Sequence, residues 1–417
     1  MTYFLSILIP SLIFLAFDFY AFQAIRGVTS ALGSSLSTVI RFSYWFFSCL
    51  SIVYLPVYRY WGYAHFSKEI KLVFTGFLFA VFAFKFILIL FLLTEDVVRL
   101  FRFIYTRVRF PEHSSVISRS AFLSQVAGIT ALIPAVSLVY GIVRNRYNYR
   151  IHEVDLSFPH LPESFDQFTI VQLSDIHVGS FNEKSPLYGA VSQVNELQPD
   201  MILFTGDLVN NLATEMDDYM DVFGGLRAVH GVYSVLGNHD YGDYIPWNSI
   251  EEKKDNFRKI LEVHRKLGWN LLRNEHRYIQ KGSEKMTLVG VENWGKGRFA
   301  KYGDLDIARR GVSPDGFKIL LSHDPSHWSE KVLPGHPDID LTLSGHTHGF
   351  QFGIESRWLK WSPSRFMYPH WAGLYRAGKQ FLYVNRGFGY LGYPGRLGIL
   401  PEITLIRLRR GNMSNAG

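Results

Sequence analysis

The chain has one cysteine among 417 residues, Cys49, and it lies in an apolar segment. That excludes an intramolecular disulfide framework and a cysteine metal site. Charge is also sparse. Asp, Glu, Lys and Arg make up 19% of the residues, against 48% hydrophobic and 16% aromatic, shares that are low in charge and high in apolar groups for a soluble enzyme. There is no internal repeat, no low-complexity tract, no Walker-type phosphate loop and no zinc-finger spacing. No nucleic-acid-binding module is visible, so nucleic acid is not expected as a partner. The net charge is +7. Its basic residues in the first third stand beside apolar runs, which fits an anionic membrane better than nucleic acid. Length alone allows two or three domains.

Long apolar runs are what the first third does contain. Residues 2–25 are nearly all apolar apart from Asp18 and lack a basic start, so they read as a span rather than a cleaved leader. Further runs at 38–58, 72–94 and 120–143 approach the roughly 20 residues needed to cross a bilayer. Four spans are expected, in a membrane domain of residues 1–149. Lys85 is the one charge in the third run, and at mid-bilayer it needs a partner. Two roles stand open for it: a pair with Asp18 or a backbone carbonyl, or a contact with an anion or lipid headgroup. Residues 96–110 set Arg99, Arg102 and Arg109 near one helical face beside apolar residues, as an interfacial helix on an anionic leaflet would. With Arg107 and Arg119, they place this loop in the cytoplasm by the positive-inside rule. The domain one span later then faces outward, on the periplasmic side of a bacterial inner membrane. Arg144, Arg146 and Arg150 are the rival signal for a cytoplasmic face. The stretch Ser118–Leu123 resembles a twin-arginine export motif reduced to one arginine.

From residue 150 the pattern changes to alternating strands and helices, an α/β arrangement. Residues 151–168, rich in proline and charge, read as a connector. Five apolar runs then each lead into Asp, Asn or His. Phe168–Leu173 precedes Ser174-Asp175-Ile176-His177. Met201–Thr205 precedes Gly206-Asp207. Val232–Leu236 precedes Gly237-Asn238-His239-Asp240. Phe317–Ser322 precedes His323, and Leu341–Ser344 precedes Gly345-His346-Thr347-His348. Strand ends of α/β sheets are where such sheets do their chemistry, and this mix of carboxylates and imidazoles suits manganese, zinc or iron. Glu183–Leu197 fits a helix, and Ile250–Leu267 fits a charged surface helix. Residues 357–371 are aromatic and basic, including Trp358, Lys360, Trp361, Arg365 and Trp371. They suit a lipid-facing rim or, equally, packing within a long loop. Trp358, Trp361, Arg365 and Lys85 are the candidate residues for lipid or substrate contact.

The order D-x-H, G-D, G-N-H-D, H, G-H-x-H resembles the calcineurin-like metallophosphoesterases over roughly residues 150–410. The likeness is strongest to the bacterial branch of YkuE-type phosphodiesterases and some UDP-diacylglucosamine hydrolases. The tail Tyr383–Gly389 with Pro401–Thr404 shares it. The resemblance implies a β-sandwich of two mixed sheets flanked by helices over residues 150–417; periodicity alone leaves a doubly wound sheet open. It implies two divalent ions, manganese foremost, with zinc or iron as alternatives. Asp175, His177 and His348 would hold the first, Asp207 both, and Asn238, His323 and His346 the second. A hydroxide bridging the ions would attack phosphorus, with His239 assisting the leaving group and Asp240 orienting His239. Gly206-Asp207-Leu208-Val209-Asn210-Asn211 departs from the G-D-x-V-D-R-G of protein serine/threonine phosphatases, which argues against that activity. The expected function is a membrane-bound phosphoesterase acting on a lipid phosphate, phosphodiester or pyrophosphate. The alternatives are a membrane-anchored enzyme of soluble nucleotides or phosphodiesters, or UDP-2,3-diacylglucosamine hydrolysis at the cytoplasmic face.

Overall fold

The computed structural model describes residues 2–30, 32–61, 66–109, 120–297 and 299–412. The chain divides into two units, residues 1–143 and 144–417.

The first unit is helical: α1 (Thr2–Thr29), α2 (Ser34–Trp61), α3 (Lys68–Arg109) and α4 (Ala121–Tyr140). All four are long and apolar enough to cross a membrane. Small residues, Ala21, Ala24, Ala127 and Ala131, meet Leu88 and Leu92 in the interior, where short side chains let helices approach closely. Large apolar side chains such as Phe42, Phe86 and Ile129 point outward, an arrangement suited to lipid and not to water. Two of the polar groups inside are held by Asp18. Lys85 Nζ lies 2.5 Å from Asp18 Oδ1, and the Tyr44 hydroxyl donates to the Asp18 carbonyl at 2.8 Å. Lys85 is therefore engaged by Asp18 and is buried, which corrects its reading as a lipid contact. Residues 96–109 continue α3 without a break instead of forming a separate interfacial helix. No glycine or proline stands between Thr94 and Arg109 to end the helix. Arg119 and the start of the twin-arginine-like stretch lie outside the described residues.

The second unit holds fourteen strands among its described residues. They are β1 (Arg150–Phe158), β2 (Thr169–Leu173), β3 (Met201–Phe204), β4 (Val232–Ser234), β5 (Asn270–Leu271), β6 (Glu275–Lys281) and β7 (Glu284–Gly290), followed by β8 (Lys318–Leu321), β9 (Leu341–Ser344), β10 (Ile354–Glu355), β11 (Lys360–Trp361), β12 (Gly373–Ala377), β13 (Gln380–Val384) and β14 (Glu402–Arg410). Two six-stranded sheets run β1-β14-β2-β3-β4-β5 and β12-β13-β9-β8-β7-β6. Both are mixed: β2, β3 and β4 are parallel while β14 is antiparallel to β2, and β7, β8 and β9 are parallel while β6 is antiparallel to β7.

Alternate residues of β2 and β3 face opposite ways. Ile170, Met201 and Leu203 enter the layer between the sheets, where they meet Leu288, Ile319, Leu343 and Phe381. Val171, Ile202 and Phe204 pack against the helices Ser185–Glu196 and Ile250–Lys266. A third cluster covers the outer face of the second sheet, with Leu320 and Val384 against Trp328 and Val332. This is the sandwich that the resemblance implies. Both faces of the central strands are covered, so they read as unbroken apolar runs. Each fully buried Leu or Phe contributes about 1.5–3 kcal/mol. The stretch read as a connector contains β1, which pairs with β14 in parallel. Leu156 and Phe158 of β1 are buried in the core and Val154 packs against it half-buried, an alternation confined to the last five residues of the strand.

Candidate metal centre

The candidate ligands sit on loops that leave the carboxyl ends of five strands. β2 leads to Asp175 and His177, β3 to Asp207, β4 to Asn238, β8 to His323, and β9 to His346 and His348. Hydrogen bonds stitch the two sheets together at this end. Gln172 Nε2 donates to Ser344 O at 2.9 Å, and His346 N donates to the Asp175 carboxylate at 3.0 Å. His323 Nδ1 lies 2.8 Å from Thr205 O.

These loops are sharply bent. Asp175, His177, Asp207, His346 and His348 take positive φ, between 49° and 71°. Each such residue costs roughly 1–2 kcal/mol, and strain gathered at one place marks a functional site. The motif glycines serve close approach. A Cβ on Gly237 would come 2.2 Å from Asp207 Oδ1, and one on Gly345 would come 2.2 Å from Asp175 Oδ2.

The ligand atoms form two groups, Asp175 with His177 and His348, and Asp207 with His323 and His346, each within 4.8 Å. His348 Nε2 is 3.2 Å from Asp175 Oδ1 and 3.1 Å from His177 Nε2. Asn238 Oδ1 joins the second group, 3.1 Å from His323 Nε2, and His346 Nδ1 is 3.3 Å from the same nitrogen. Asp207 Oδ2 belongs to both groups, 3.4 Å from His177 Nε2 and 3.1 Å from His323 Nε2. The structure thus brings all seven sequence-predicted ligand residues together, around one shared carboxylate oxygen.

Burial opposes ionisation of the two carboxyls, yet His348 holds Asp175, and His323 with His239 holds Asp207, below the usual carboxylate range. Burial pushes His177 down to about 3 and also lowers His346. Burial works against a proton on His323 too, but the charge of Asp207 outweighs it and pushes His323 up to about 10. Anionic oxygens therefore crowd imidazole nitrogens, and the proton held on His323 shows that positive charge is stabilised among them. The residues present fit a pair of divalent ions, since all offer oxygen or imidazole nitrogen.

His239 and Asp240 take separate roles. His239 Nδ1 lies 2.8 Å from the Asn210 carbonyl. A carbonyl only accepts, so Nδ1 carries the hydrogen and Nε2 is the nitrogen available for proton exchange. Asp240 does not orient His239, as the sequence reading expects. Its buried carboxylate accepts from the backbone N–H groups of Asp207, Leu208 and Gly237 at 2.8–3.0 Å. The 3-10 turn His239–Tyr241 carries the side chain after His239 inward, where it clamps the two ligand loops together.

Several supporting residues escape sequence reading. Asn238 Nδ2 donates to the Tyr244 hydroxyl at 2.9 Å, which aims Oδ1 at His323. The Tyr368 hydroxyl lies 2.8 Å from His346 Nε2, and buried Asp324 lies 3.5 Å from the same nitrogen. A ligating imidazole commonly hands its other N–H to such a group. Asp324 directly follows His323, which is the one local hint of its role. Arg396 is buried and donates to the carbonyls of Arg386, Gly387 and Gly389. That holds the 385–389 loop while Phe388 N and Gly389 N donate to Ser174 O and Asp175 O. Of the candidate lipid-facing residues, Trp358 and Arg365 are exposed and Trp361 is half-buried.

Residues 168–350 match the calcineurin-like phosphoesterase family, and residues 2–146 match a family described as "probable calcineurin-like phosphoesterase, transmembrane domain". A transmembrane protein with metallophosphoesterase domain from Danio rerio is 32% identical over 293 residues, 68% of this chain and 62% of that protein. The uncharacterized metallophosphoesterase YkuE of Bacillus subtilis is 29% identical over 255 residues, 60% of this chain and 82% of YkuE. An uncharacterized metallophosphoesterase of Helicobacter pylori J99 is 31% identical over 250 residues, 60% of this chain and 61% of that protein. The chain thus spans less than two thirds of the first of these relatives. With its candidate ligands gathered in family order around Asp207 and a four-span family matched ahead of them, the chain belongs to the calcineurin-like metallophosphoesterases.

Proposed function

We propose that the chain hydrolyses a phosphoric ester or anhydride of a membrane lipid. The observation that carries the hydrolytic part is Asp207 Oδ2, one oxygen shared by two ligand groups. Two divalent ions held there, with manganese proposed, would supply an activated water and neutralise phosphoryl oxygens in an in-line displacement. Asp175, His177 and His348 would hold one ion; Asn238, His323 and His346 would hold the other; Asp207 would serve both. Asn238 keeps the negative charge of the ligand set low by offering a neutral oxygen. His239, anchored through Nδ1 on Asn210, exchanges a proton at Nε2 with the leaving oxygen or steadies the phosphoryl group. Asp240 fixes the spacing of the Asp207 and Asn238 loops.

The lipid part is supported by four apolar helices on the same chain and by exposed apolar side chains that follow ligand His348. The proposed location is a bacterial inner membrane with the catalytic unit on the periplasmic side, supported by the arginines at 99, 102, 107 and 109. A reporter active only in the periplasm, fused after residue 150, would give signal; signal only from a cytoplasmic reporter would reverse the orientation. For the substrate, full-length enzyme in mixed micelles is given a lipid phosphoester, a chromogenic soluble phosphodiester and a nucleotide. Faster turnover of the lipid is expected. Robust nucleotide hydrolysis with no lipid turned over would move the assignment to a soluble substrate.

A further inference from the structure

Between ligand His348 and Tyr368, which touches ligand His346, the chain makes an excursion rich in unburied apolar side chains. Phe350, Ile354, Leu359, Phe366 and Met367 are exposed, and Trp358 is 87% exposed. Exposed groups of this size, clustered in eighteen residues, mark an interaction surface.

The excursion is a built element. β10 and β11 pair antiparallel, with Ile354 opposite Trp361 and Glu355 opposite Lys360. At the turn, Ser356 Oγ accepts from Trp358 N at 3.3 Å and Leu359 N at 3.1 Å, which holds Trp358 at the tip. At the base, Arg386 Nε donates to Glu355 at 2.8 Å, and Arg386 Nη1 donates to Glu402 at 2.6 Å. Arg386 and Glu402 have side chains only 4% and 0% exposed, so the hairpin is moored to a buried ion pair. Lys360 Nζ donates to the Ala372 carbonyl at 2.6 Å. The polar groups are satisfied at the base while the large apolar groups stay outside.

We propose that residues 350–367 insert into the headgroup region of an anionic bilayer and thereby hold the metal centre at the lipid surface. Two observations select a bilayer over a protein partner. The surface mixes aromatic rings with exposed Arg357 and Arg365, and the Arg357 guanidinium stands 5.2 Å from the Trp358 ring centroid. Aromatic residues flanked by arginine suit the boundary between acyl chains and anionic headgroups. The fourth candidate span runs to Asn145 and β1 starts at Arg150. Only residues 146–149 lie between, at most about 3.5 Å each, so the unit that carries the hairpin is tethered by a short connector to a candidate membrane span. The inference deepens the lipid-substrate reading and rests on it for its purpose; the experiment keeps the two apart.

The test places a single environment-sensitive fluorophore on Trp358→Cys, in a Cys49→Ser background, in the full chain within nanodiscs of phosphatidylcholine with and without phosphatidylglycerol. A second version carries it on Val229→Cys, a position 81% exposed. The probe at 358 is expected to emit blue-shifted light and to be quenched by lipid-borne quenchers, more strongly with the anionic lipid, while the probe at 229 reports water. A probe at 358 that reports water in every disc overturns the inference, whatever the substrate. A blue shift untouched by lipid-borne quenchers assigns the surface to protein contact and overturns it as well. The double variant Trp358→Asp, Phe366→Asp should lower turnover of a lipid phosphoester in discs about tenfold and leave a soluble diester within about twofold. Equal losses on both substrates overturn the docking role. Lipid-quenched insertion in an enzyme that turns over only soluble esters supports the anchor and overturns the lipid-substrate reading.

Discussion

The two units of this chain bury charge in opposite ways. In the membrane unit the buried charges are closed on neighbours: Lys85 on Asp18, and Glu95 on the Ser120 amide. The catalytic unit has one such pair in Arg386 and Glu402. At its strand ends, however, Asp175, Asp207 and four histidines crowd carboxylate oxygens and imidazole nitrogens to 3.1–3.4 Å of one another. A closed pair holds structure. An open cluster of acceptors is a seat for a cation, and the strained loops around it show that the fold is organised to keep it open. Burial does not separate the two cases; which atoms face which does.

The strongest way to break the contrast is Asp207→Asn, which removes the shared anion. Purified protein should bind less metal at both sites and fall to near the uncatalysed rate on a chromogenic phosphodiester. Full occupancy with normal turnover would remove Asp207 from its bridging role. His239→Ala acts beside the open cluster without emptying it. Metal content should hold, while turnover drops roughly 10²- to 10⁴-fold, less for substrates with good leaving groups. An equal drop for good and poor leaving groups would rule out leaving-group protonation and leave charge stabilisation.

The closed pair in the membrane unit should respond differently. Lys85→Met alone strands Asp18 and should cost about 3–5 kcal/mol, read as a lower melting temperature in detergent. Adding Asp18→Asn should recover most of that loss, because a closed pair is replaceable as a unit. Failure of the second change to recover stability would give the pair a role beyond mutual neutralisation.

The smallest effect concerns His264, a buried imidazole within the catalytic unit. Its Nδ1 lies 3.0 Å from Ser234 Oγ, and burial pushes its pKa down to about 3 from 6.5. Below pH 6.5 the unfolded chain takes up this proton while the folded chain does not. Stability is therefore full above pH 6.5 and declines toward pH 3, by about 2 kcal/mol at pH 5. Melting curves from pH 8 to 5 should show the decline, and His264→Gln should flatten it. Parallel curves for the two proteins would assign the acid sensitivity elsewhere.

The candidate ligands were legible because each is local: an apolar strand followed within a few residues by Asp, Asn or His, with glycines where the backbone must pass a carboxylate. The four spans were legible because length and composition carry the signal. β1 was not, since its pairing with β14 joins residues some 250 positions apart and none of its first four residues is buried. Asp240 was misread for a related reason. Adjacency to His239 invites a pairing, while the turn sends the carboxylate to the backbone of residues 207, 208 and 237.

The chain's own residues determined the chemistry on offer: oxygen and imidazole donors in family order, no cysteine ligand, and a membrane-compatible first third. Only the tertiary structure decided how these are used. It put Asp207 Oδ2 between two groups, set Tyr368 and Asp324 against His346, chose Asp18 for Lys85, and left Trp358 outside. The physical reason is range. Strand, helix and glycine preferences act over a few residues, whereas the facing of one lone pair by another is set by contacts such as Asp175 with His346, 171 positions apart, which exist only once both sheets have packed.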